Sequence, residues 1–251
     1  MELIYSWLFR VLVVVTVVVP IALRFINAPY GKFIRQGWGP KIPGRVAWVV
    51  MESFAVFTIL TVFIVSPRVF DPLSVVFLLI WESHYVYRTF IFPFRGKGSR
   101  RAMPAPVMSM AILFNIWNGF LNGVWLFFLS PRRDLDWLSS WPFMIGLLVF
   151  LLGMVLNQHS DHVLLKLRKA GDSGYYIPYG GGYRWVSVPA YLGEIVEWLG
   201  FALLTFSPAG LLFACFTAAN LIPRAVSTHQ WYLQRFKNYP KERRAVIPFI
   251  L

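Results

Sequence analysis

Four of the chain's 11 acidic residues fall inside strongly apolar segments. They are Glu52, Glu82, Glu194 and Glu197. An ionised side chain at such a position costs roughly 2.5–3.5 kcal/mol on insertion scales, so each carboxylate needs a partner or a hydrated cavity. Such groups are candidate functional residues, and the alternative is that neighbouring helices satisfy them for packing alone.

The spacing of other polar residues adds to these carboxylates. In WESHYVYRTF, Glu82, Tyr85 and Arg88 recur every third residue, which places them on one face of a helix. Three more polar stripes lie in other apolar segments: Asn115, Asn118 and Asn122; Glu194 and Glu197; and Asn220 and Arg224. Amide stripes can join helices at about 0.6–2 kcal/mol each. Four stripes on four segments instead predict a polar cavity inside a bundle.

The cavity's chemistry follows from its side chains. Arginines can bind phosphates through paired hydrogen bonds, and Arg88, Arg168 and Arg224 are available for this. The 11 Trp, 11 Tyr and 23 Phe residues offer apolar walls for a flat lipid. The expected ligand is therefore anionic at one end and apolar at the other.

The longest polar stretch in the second half is residues 157–182, NQHSDHVLLKLRKAGDSGYYIPYGGG. His159 and His162 flank Asp161 and, with Glu194 and Glu197, could be drawn as a metal site, but their spacing matches HExxH poorly. A Ser-His-Asp hydrolase using Ser160 is disfavoured because adjacent residues point in different directions. The chain has neither a GxGxxG motif after a strand nor a P-loop. The triple glycine at 180–182 suits a flexible turn and a phosphate platform equally well.

The composition indicates an integral membrane protein. Hydrophobic residues make up 57% and charged residues only 14% of the 251 residues, against about 25% charged in soluble domains. The mean hydropathy is +0.59. Cys215 is the lone cysteine, which excludes disulfides and cysteine metal clusters. The net charge of +13 does not indicate nucleic acid, because the basic residues lie in loops between apolar segments.

Seven apolar runs are long enough to cross a bilayer, and their continuity favours helices over a barrel. They span residues 6–26, 46–66, 72–93, 106–130, 141–157, 188–206 and 208–226. The first run contains Arg10 and is followed by no small-residue cleavage site, so we assign a helix rather than a signal peptide. The predicted fold is all-α and polytopic, with seven transmembrane helices.

The distribution of Lys and Arg predicts the orientation. The first, third and fifth loops and the C-terminal tail hold most of them, while the other loops hold only Arg68, Arg132 and Arg133. The positive-inside rule then places the N-terminus outside and the C-terminus in the cytosol. Residues 157–182 would lie on the cytosolic side.

Several motifs resemble one known family. NQHSDHVLLKLRK, GYYIPYGGG, LGEIVEWLGFAL and NYPKERRAVIPFIL follow in order within residues 157–251 and resemble the C-terminal half of steroid 5α-reductases. HYVYRTF at 84–90 resembles the family's mid-chain motif, and Glu52 stands where the family has its glutamate. Residues 1–45 match only in hydropathy.

The resemblance implies a seven-helix enzyme that uses NADPH to reduce the Δ4 double bond of a 3-oxo-steroid. It implies that Glu52 and Tyr85 hydrogen-bond the C3 carbonyl. Carried over by position, the cofactor site comprises Arg88, Asn157, Asp161, Arg168, Tyr175, Glu194, Arg224 and Tyr232. In one departure, Ala190 replaces the asparagine that usually precedes the aromatic residue of the LGE motif, so one cofactor hydrogen bond would be missing or replaced.

The expected organisation is one membrane domain, 1–251, in which 107–251 mainly bind cofactor and the first three spans complete the steroid pocket. Its partners would be the 3-oxo-Δ4-steroid and membrane lipid, with no metal, nucleic acid or protein partner implied. Either a bacterial inner membrane or the endoplasmic reticulum would fit. The competing interpretations are a sterol Δ14 reductase, an isoprenylcysteine-type methyltransferase, and a non-enzymatic lipid-binding or transport protein.

Overall fold

The computed structural model describes residues 1–95, 102–167, 172 and 174–251, and its fold is almost entirely helical. The α-helices in these ranges are α1 (Glu2–Phe25), α2 (Gly44–Ile64), α3 (Pro72–Val86), α4 (Phe92–Arg95), α5 (Ala105–Val124), α6 (Trp141–Lys166), α7 (Pro189–Thr205) and α8 (Pro208–Arg235). Two short strands, β1 (Lys41–Ile42) and β2 (Met103–Pro104), pair antiparallel. The all-α prediction is confirmed.

Three helix starts follow directly from local sequence. Asp71, Ser140 and Ser207 each accept a hydrogen bond from a backbone N–H in the first turn, of α3, α6 and α8 respectively. A proline stands in the first two positions of each of these helices, where its missing N–H costs no helical hydrogen bond. These starts fix where the polar side chains further along each helix will lie.

A π-helical turn, Tyr87–Ile91, joins α3 to α4 without a break. A second π-turn, Trp125–Leu129, extends α5. Wider turns of this kind occur often at functional sites, because they change the direction in which side chains project. The first one carries Arg88.

Glycines bring α6 and α7 into direct backbone contact. A Cβ atom at Gly146, Gly153, Gly193 or Gly200 would collide with the backbone of the facing helix. On each helix the two glycines are seven residues apart, so they lie on one face of it. Small residues let membrane helices approach closely, and this contact sets the positions of the polar residues around them.

The central core is aromatic. Trp81, Trp198, Phe201 and Phe213 pack with ring centres 4.4–5.7 Å apart, and Trp81 and Trp198 are fully buried. Tyr85 stacks on both tryptophans, at 4.9 and 5.5 Å. The outer surface, in contrast, exposes many large apolar side chains, as expected for contact with lipid.

Five helical segments are long and apolar enough to cross a membrane: Glu2–Phe25, Gly44–Ile64, Ala105–Leu129, Trp141–Lys166 and Pro208–Arg235. A multi-pass membrane protein is thus supported. The other two predicted spans correspond to α3, which has 15 residues, and α7, which has 17. The seven-span count and the orientation stay predictions.

Two helices extend beyond the predicted spans. The fifth span, placed at 141–157, is a helix to Lys166, and the last, placed at 208–226, continues to Arg235. Residues 157–182 are therefore not one polar loop, since their first ten residues are helical. The apolar pattern ends before the helix does, because the backbone hydrogen bonds of the helix continue through polar residues.

Candidate functional site

The two predicted catalytic residues lie on neighbouring helices. Tyr85 on α3 is buried, and Glu52 on α2 is close enough to interact with it electrostatically. The side-chain amides of Asn115 and Asn118 on α5 interact with Glu52 and Tyr85 respectively. The amide stripe thus faces the tyrosine and the carboxyl group rather than serving only as a helix contact.

A histidine-glutamate pair supports Tyr85 from the other side. His84 Nδ1 and Glu197 Oε1 are 2.8 Å apart, and both residues are buried. The His84 ring also lies against the Tyr85 ring, with centres 4.9 Å apart. We did not assign His84 a role from sequence, although Glu197 in an apolar segment required a partner of this kind.

Arg88 connects three elements. Its guanidinium donates to Asp161 Oδ2 on α6 at 3.4 Å and lies 3.8 Å from Glu194 Oε2 on α7. It also lies over the rings of Trp48 and Phe92, at 4.9 and 5.1 Å from their centres. One cation thus neutralises carboxylates that two other helices bring to the bundle interior.

Asn157 is buried and joins the same network. Its amide Nδ2 donates to the Ala190 carbonyl at 2.9 Å and to Glu194 Oε2 at 3.4 Å. The bond to residue 190 uses the backbone, so it does not depend on the side chain there. The replacement of asparagine by Ala190 therefore leaves this contact intact.

A cavity of about 350 Å³ opens beside this network. Its lining includes Tyr30, Lys32, Trp48, Tyr175, Tyr191 and Arg224. Arg224 donates to the Tyr191 hydroxyl at 3.2 Å and lies 4.8 Å from the centre of the Tyr30 ring. Glu52 and Tyr85 do not line this cavity, and Arg88 reaches it through its contact with Trp48.

Tyr175 lines the cavity, and Tyr232 lies behind it, next to Trp231. The Tyr175 ring is 4.9 Å from that of Trp231, which neighbours Tyr232. Tyr232 is buried and stacks on Tyr239 at 5.0 Å. An aromatic wall therefore connects the segment after α6 to α8 and the C-terminal tail.

Lys32, in the loop between α1 and α2, is a residue that we did not single out from the sequence. Its Nζ lies 5.2 Å from the ring centres of both Trp231 and Tyr232, and it lines the cavity. Burial lowers the pKa of Lys32 to about 7. Nothing in the sequence separates it from the other basic loop residues that the positive-inside rule predicts.

The triple glycine forms a tight turn whose backbone packs closely against its neighbours. Gly180 and Gly181 have φ angles of +89° and +50°, which glycine adopts at little cost. A Cβ at Gly181 would collide with the imidazole of His159, and one at Gly182 with Pro189. The turn therefore packs between the end of α6 and the start of α7.

The structure does not support a contact at the site for several other predicted residues. Arg168 and its neighbour Lys169 lie outside the described residues. Glu82 shares a helix with Tyr85, but neither of its carboxylate oxygens has a hydrogen-bond partner in the described parts of the chain. Within those parts, no three His, Cys, Asp or Glu side chains are grouped as a metal site would require.

The fold and the site together define a helical membrane protein in which charged and aromatic side chains of several helices meet inside the bundle, beside a cavity. Comparison with known proteins identifies the family to which it belongs. The family model described as 3-oxo-5-alpha-steroid 4-dehydrogenase matches residues 101–251. The chain belongs to this family.

Curated relatives match along almost the whole chain. Steroid 5-alpha-reductase DET2 of Gossypium hirsutum is 43% identical over 234 residues, which cover 92% of this chain and 91% of the relative. The Arabidopsis thaliana protein of the same name is 40% identical, over 92% and 90% of the two chains. 3-oxo-5-alpha-steroid 4-dehydrogenase 1 of Rattus norvegicus is 38% identical, over 92% and 89%. The resemblance inferred from the motifs is confirmed.

Proposed function

We propose that this protein is a steroid 5α-reductase, which reduces the Δ4 double bond of a 3-oxo-steroid with NADPH as the electron donor. Membership of the family and the names of the relatives support the reaction class. The observation that carries the proposal is the placement of Tyr85 beside Glu52, with Arg88 linking them to a separate cavity. The surroundings of Tyr85 would hold the ketone, and the cavity would hold the nucleotide.

Tyr85 would polarise the substrate carbonyl. Addition of hydride at C5 of the enone places negative charge on the C3 oxygen, and a hydroxyl that donates there stabilises the charge. Stacking on Trp81 and Trp198 and the contact with Asn118 hold the Tyr85 ring and hydroxyl in place. The Glu52 side chain on α2 would hydrogen-bond the same C3 oxygen of the substrate. The Tyr85 hydroxyl and the Glu52 carboxyl group would thus be held in place before the reaction starts.

The lining of the cavity fits a phosphate-bearing cofactor. In the described part of the chain, neither Arg224 nor Lys32 forms a salt bridge with a carboxylate, although both line the cavity. A phosphate would satisfy both cations through charge-assisted hydrogen bonds. Asn157, Asp161 and Glu194 belong to the Arg88 network beside the cavity and not to its lining, and they would offer donors and acceptors for the neutral parts of the nucleotide. Tyr175 and Tyr232 would close the outer side.

NADPH, when bound, supplies a hydride to C5. A proton must reach C4, so that the enone, NADPH and one proton give the saturated ketone and NADP⁺. The chain's own contribution is to hold both ligands, donate to the C3 oxygen and keep water away. The buried aromatic residues around Tyr85 provide that exclusion.

A turnover assay tests the proposal. The purified protein in detergent should consume NADPH when progesterone or testosterone is added, and should give the 5α product. Activity that requires S-adenosylmethionine and ignores NADPH would instead indicate a methyltransferase. Binding of steroid without any oxidation of NADPH would indicate a lipid-binding protein.

We further propose that all seven predicted spans cross the membrane, with the N-terminus outside and the C-terminus in the cytosol. The alternation of basic and non-basic loops supports this topology. Cysteines introduced one at a time at exposed Lys237 and Asp134, on opposite ends of the bundle, in a Cys215→Ser background test it. In sealed vesicles, an impermeant thiol reagent should label only one of the two, and labelling of both to the same extent would contradict the topology.

A further inference from the structure

Three arginines cluster at the end of the bundle far from the candidate site. Arg68 lies between α2 and α3, and Arg132 and Arg133 lie between α5 and α6. The α3 helix separates Asp71, next to this end, from Tyr85 by about 21 Å, given a rise of about 1.5 Å per residue. We call Arg68, Arg132 and Arg133 the distal arginine cluster.

Backbone and hydroxyl oxygens hold two members of this cluster. Arg68 donates through Nη1 to the Leu126 carbonyl at 2.9 Å and to Ser130 Oγ at 2.8 Å, and through Nη2 to the Ser130 carbonyl at 2.5 Å. Arg133 donates to the Thr205 carbonyl at 2.9 Å and lies 4.1 Å from the centre of the Trp137 ring. These contacts fix the positions of the guanidinium groups.

In the described residues no carboxylate forms a salt bridge with the distal arginine cluster, and Asp71 interacts with Arg68 only at longer range. The nearby Asp71 uses its carboxylate on the backbone N–H and hydroxyl of Ser74. Burial and the charge of Arg132 lower the pKa of Arg68, and burial and Arg68 lower that of Arg133. The three cations repel each other, and an anion between them would relieve that repulsion.

A cavity of about 90 Å³ lies among these side chains, and its polar lining consists of all three arginines, Ser74, Ser130 and one carboxylate, Asp71. A cavity needs roughly 10–15 Å³ on this measure to hold one water, so there is room for a larger polar group. Its donors are guanidinium and hydroxyl groups, the set that proteins use for phosphate. Exposed apolar residues lie near it, among them Phe70, two residues from Arg68, and Phe206, whose ring centre is 6.0 Å from the Arg133 guanidinium.

Capping of helix ends explains only part of this arrangement. Arg68 and Arg133 satisfy carbonyls at the ends of α5 and α7, a role that basic side chains often fill. Arg132 caps nothing in the described residues, is exposed, and still lines the cavity. A capping role also needs no cavity between the cations.

We propose that the distal arginine cluster binds a phosphate group, and that its source is the headgroup of an anionic lipid. The apolar rim favours the lipid over free phosphate, because acyl chains could lie against it while the phosphate enters the cavity. The site is separate from the nucleotide cavity and would tether one lipid to the loops that join α2 to α3 and α5 to α6.

Lipid titrations of the full-length protein in detergent test this proposal. The shift in thermal unfolding midpoint is followed for phosphatidylglycerol, phosphatidylcholine, diacylglycerol and inorganic phosphate. Phosphatidylglycerol should stabilise the protein at the lowest concentration and diacylglycerol should not. A shift of equal size with inorganic phosphate alone supports the site with free phosphate as its source. Absence of any shift with both phosphatidylglycerol and phosphate overturns the proposal.

Arg132→Gln is the decisive variant, since Arg132 is exposed and its loss removes no helix cap. It should weaken the apparent affinity for phosphatidylglycerol by about tenfold, as expected for a lost charge-assisted hydrogen bond. Arg24→Gln, which removes an exposed arginine at the C-terminal end of α1, is the matched control and should change it by less than about twofold. Equal weakening in both variants would mean general charge attraction and overturns the proposal.

Discussion

The arginines at the two ends of the bundle have different partners. At the candidate site, Arg88 meets the carboxylates of Asp161 and Glu194. At the distal arginine cluster, the hydrogen bonds of Arg68 and Arg133 in the described residues go to carbonyl and hydroxyl oxygens, with no carboxylate among the acceptors. The first arrangement is neutralised internally and acts as a rigid scaffold, whereas the second keeps its charge for a ligand.

The proposed nucleotide cavity combines both arrangements. Arg224 and Lys32 line it and, like the distal arginines, form no salt bridge to any described carboxylate, whereas Arg88, which contacts the cavity-lining Trp48, is paired. A cationic side chain that lines a cavity and has no carboxylate partner therefore indicates a contact with a ligand. A cationic side chain in a salt bridge, such as Arg88, indicates that it holds neighbouring helices and side chains in position. We therefore expect substitutions of these arginines and of Lys32 to have different effects.

The largest effect is expected from Tyr85→Phe. Loss of the hydroxyl that donates to the C3 oxygen should lower kcat for steroid reduction by about 10²–10⁴-fold while NADPH binding persists. The measurement is steady-state turnover together with thermal unfolding. Tyr87→Phe, two residues further on and not at the candidate site, is the control. If Tyr85→Phe turns over at the normal rate with an intact fold, Tyr85 is not the electrophile.

A large effect on stability is expected from Gly153→Val. The side chain would collide with the backbone of α7 at Glu197, so the helices must separate, at a cost of about 1–3 kcal/mol or more. Unfolding midpoints in detergent measure this. Val155→Leu, at an exposed position on the same helix, should leave the midpoint almost unchanged. Equal midpoints for both variants would show that α6 and α7 do not pack through their glycines.

Arg224→Gln should have different effects on the binding of NADPH and of the steroid. Removal of a phosphate contact should raise the KM for NADPH by about tenfold or more and change the steroid KM little. Arg132→Gln, in the distal arginine cluster, should change neither. An equal rise in both Michaelis constants for Arg224→Gln would contradict its place in the nucleotide cavity.

A smaller effect, on pH dependence, is expected from Lys32. With a pKa of about 7 its side chain is charged below pH 7 and largely neutral above it. A phosphate binds the charged form and raises that pKa, so binding takes up a proton. NADPH affinity should therefore fall as pH rises from 7 to 9, by at most tenfold per unit. Direct binding titrations measure this slope.

Lys32→Arg is the control for the pH effect, because arginine stays charged throughout this range. Its NADPH affinity should be nearly flat between pH 7 and 9. An unchanged slope in the variant would show that another group causes the dependence.

Much of the fold was predictable because the apolar runs are long and continuous. The helix starts at Asp71, Ser140 and Ser207 also carry local capping signals. The ends were less predictable, since α6 continues through Asn157 and Asp161 into polar sequence. Hydropathy reports which residues contact lipid, and it does not report where a helix lining a cavity stops.

The residues of the candidate site were also only partly predictable from the sequence. Glu52, Glu194 and Glu197 stood out because a buried carboxylate in an apolar segment needs a partner. His84 and Lys32 did not stand out, because their roles depend on which helix or loop faces them. The pairing of His84 with Glu197 and the packing of Lys32 on Trp231 are tertiary contacts between distant parts of the chain.

The most direct test of the central claim is the transfer of label from NADPH deuterated at C4 of the nicotinamide. If the nucleotide lies beside a ketone held by Tyr85 and Glu52, one face of the labelled cofactor should deliver deuterium to C5 of progesterone, and the product should be the 5α isomer. Oxidation of the cofactor without deuterium at C5, or its delivery to another carbon, would contradict the account.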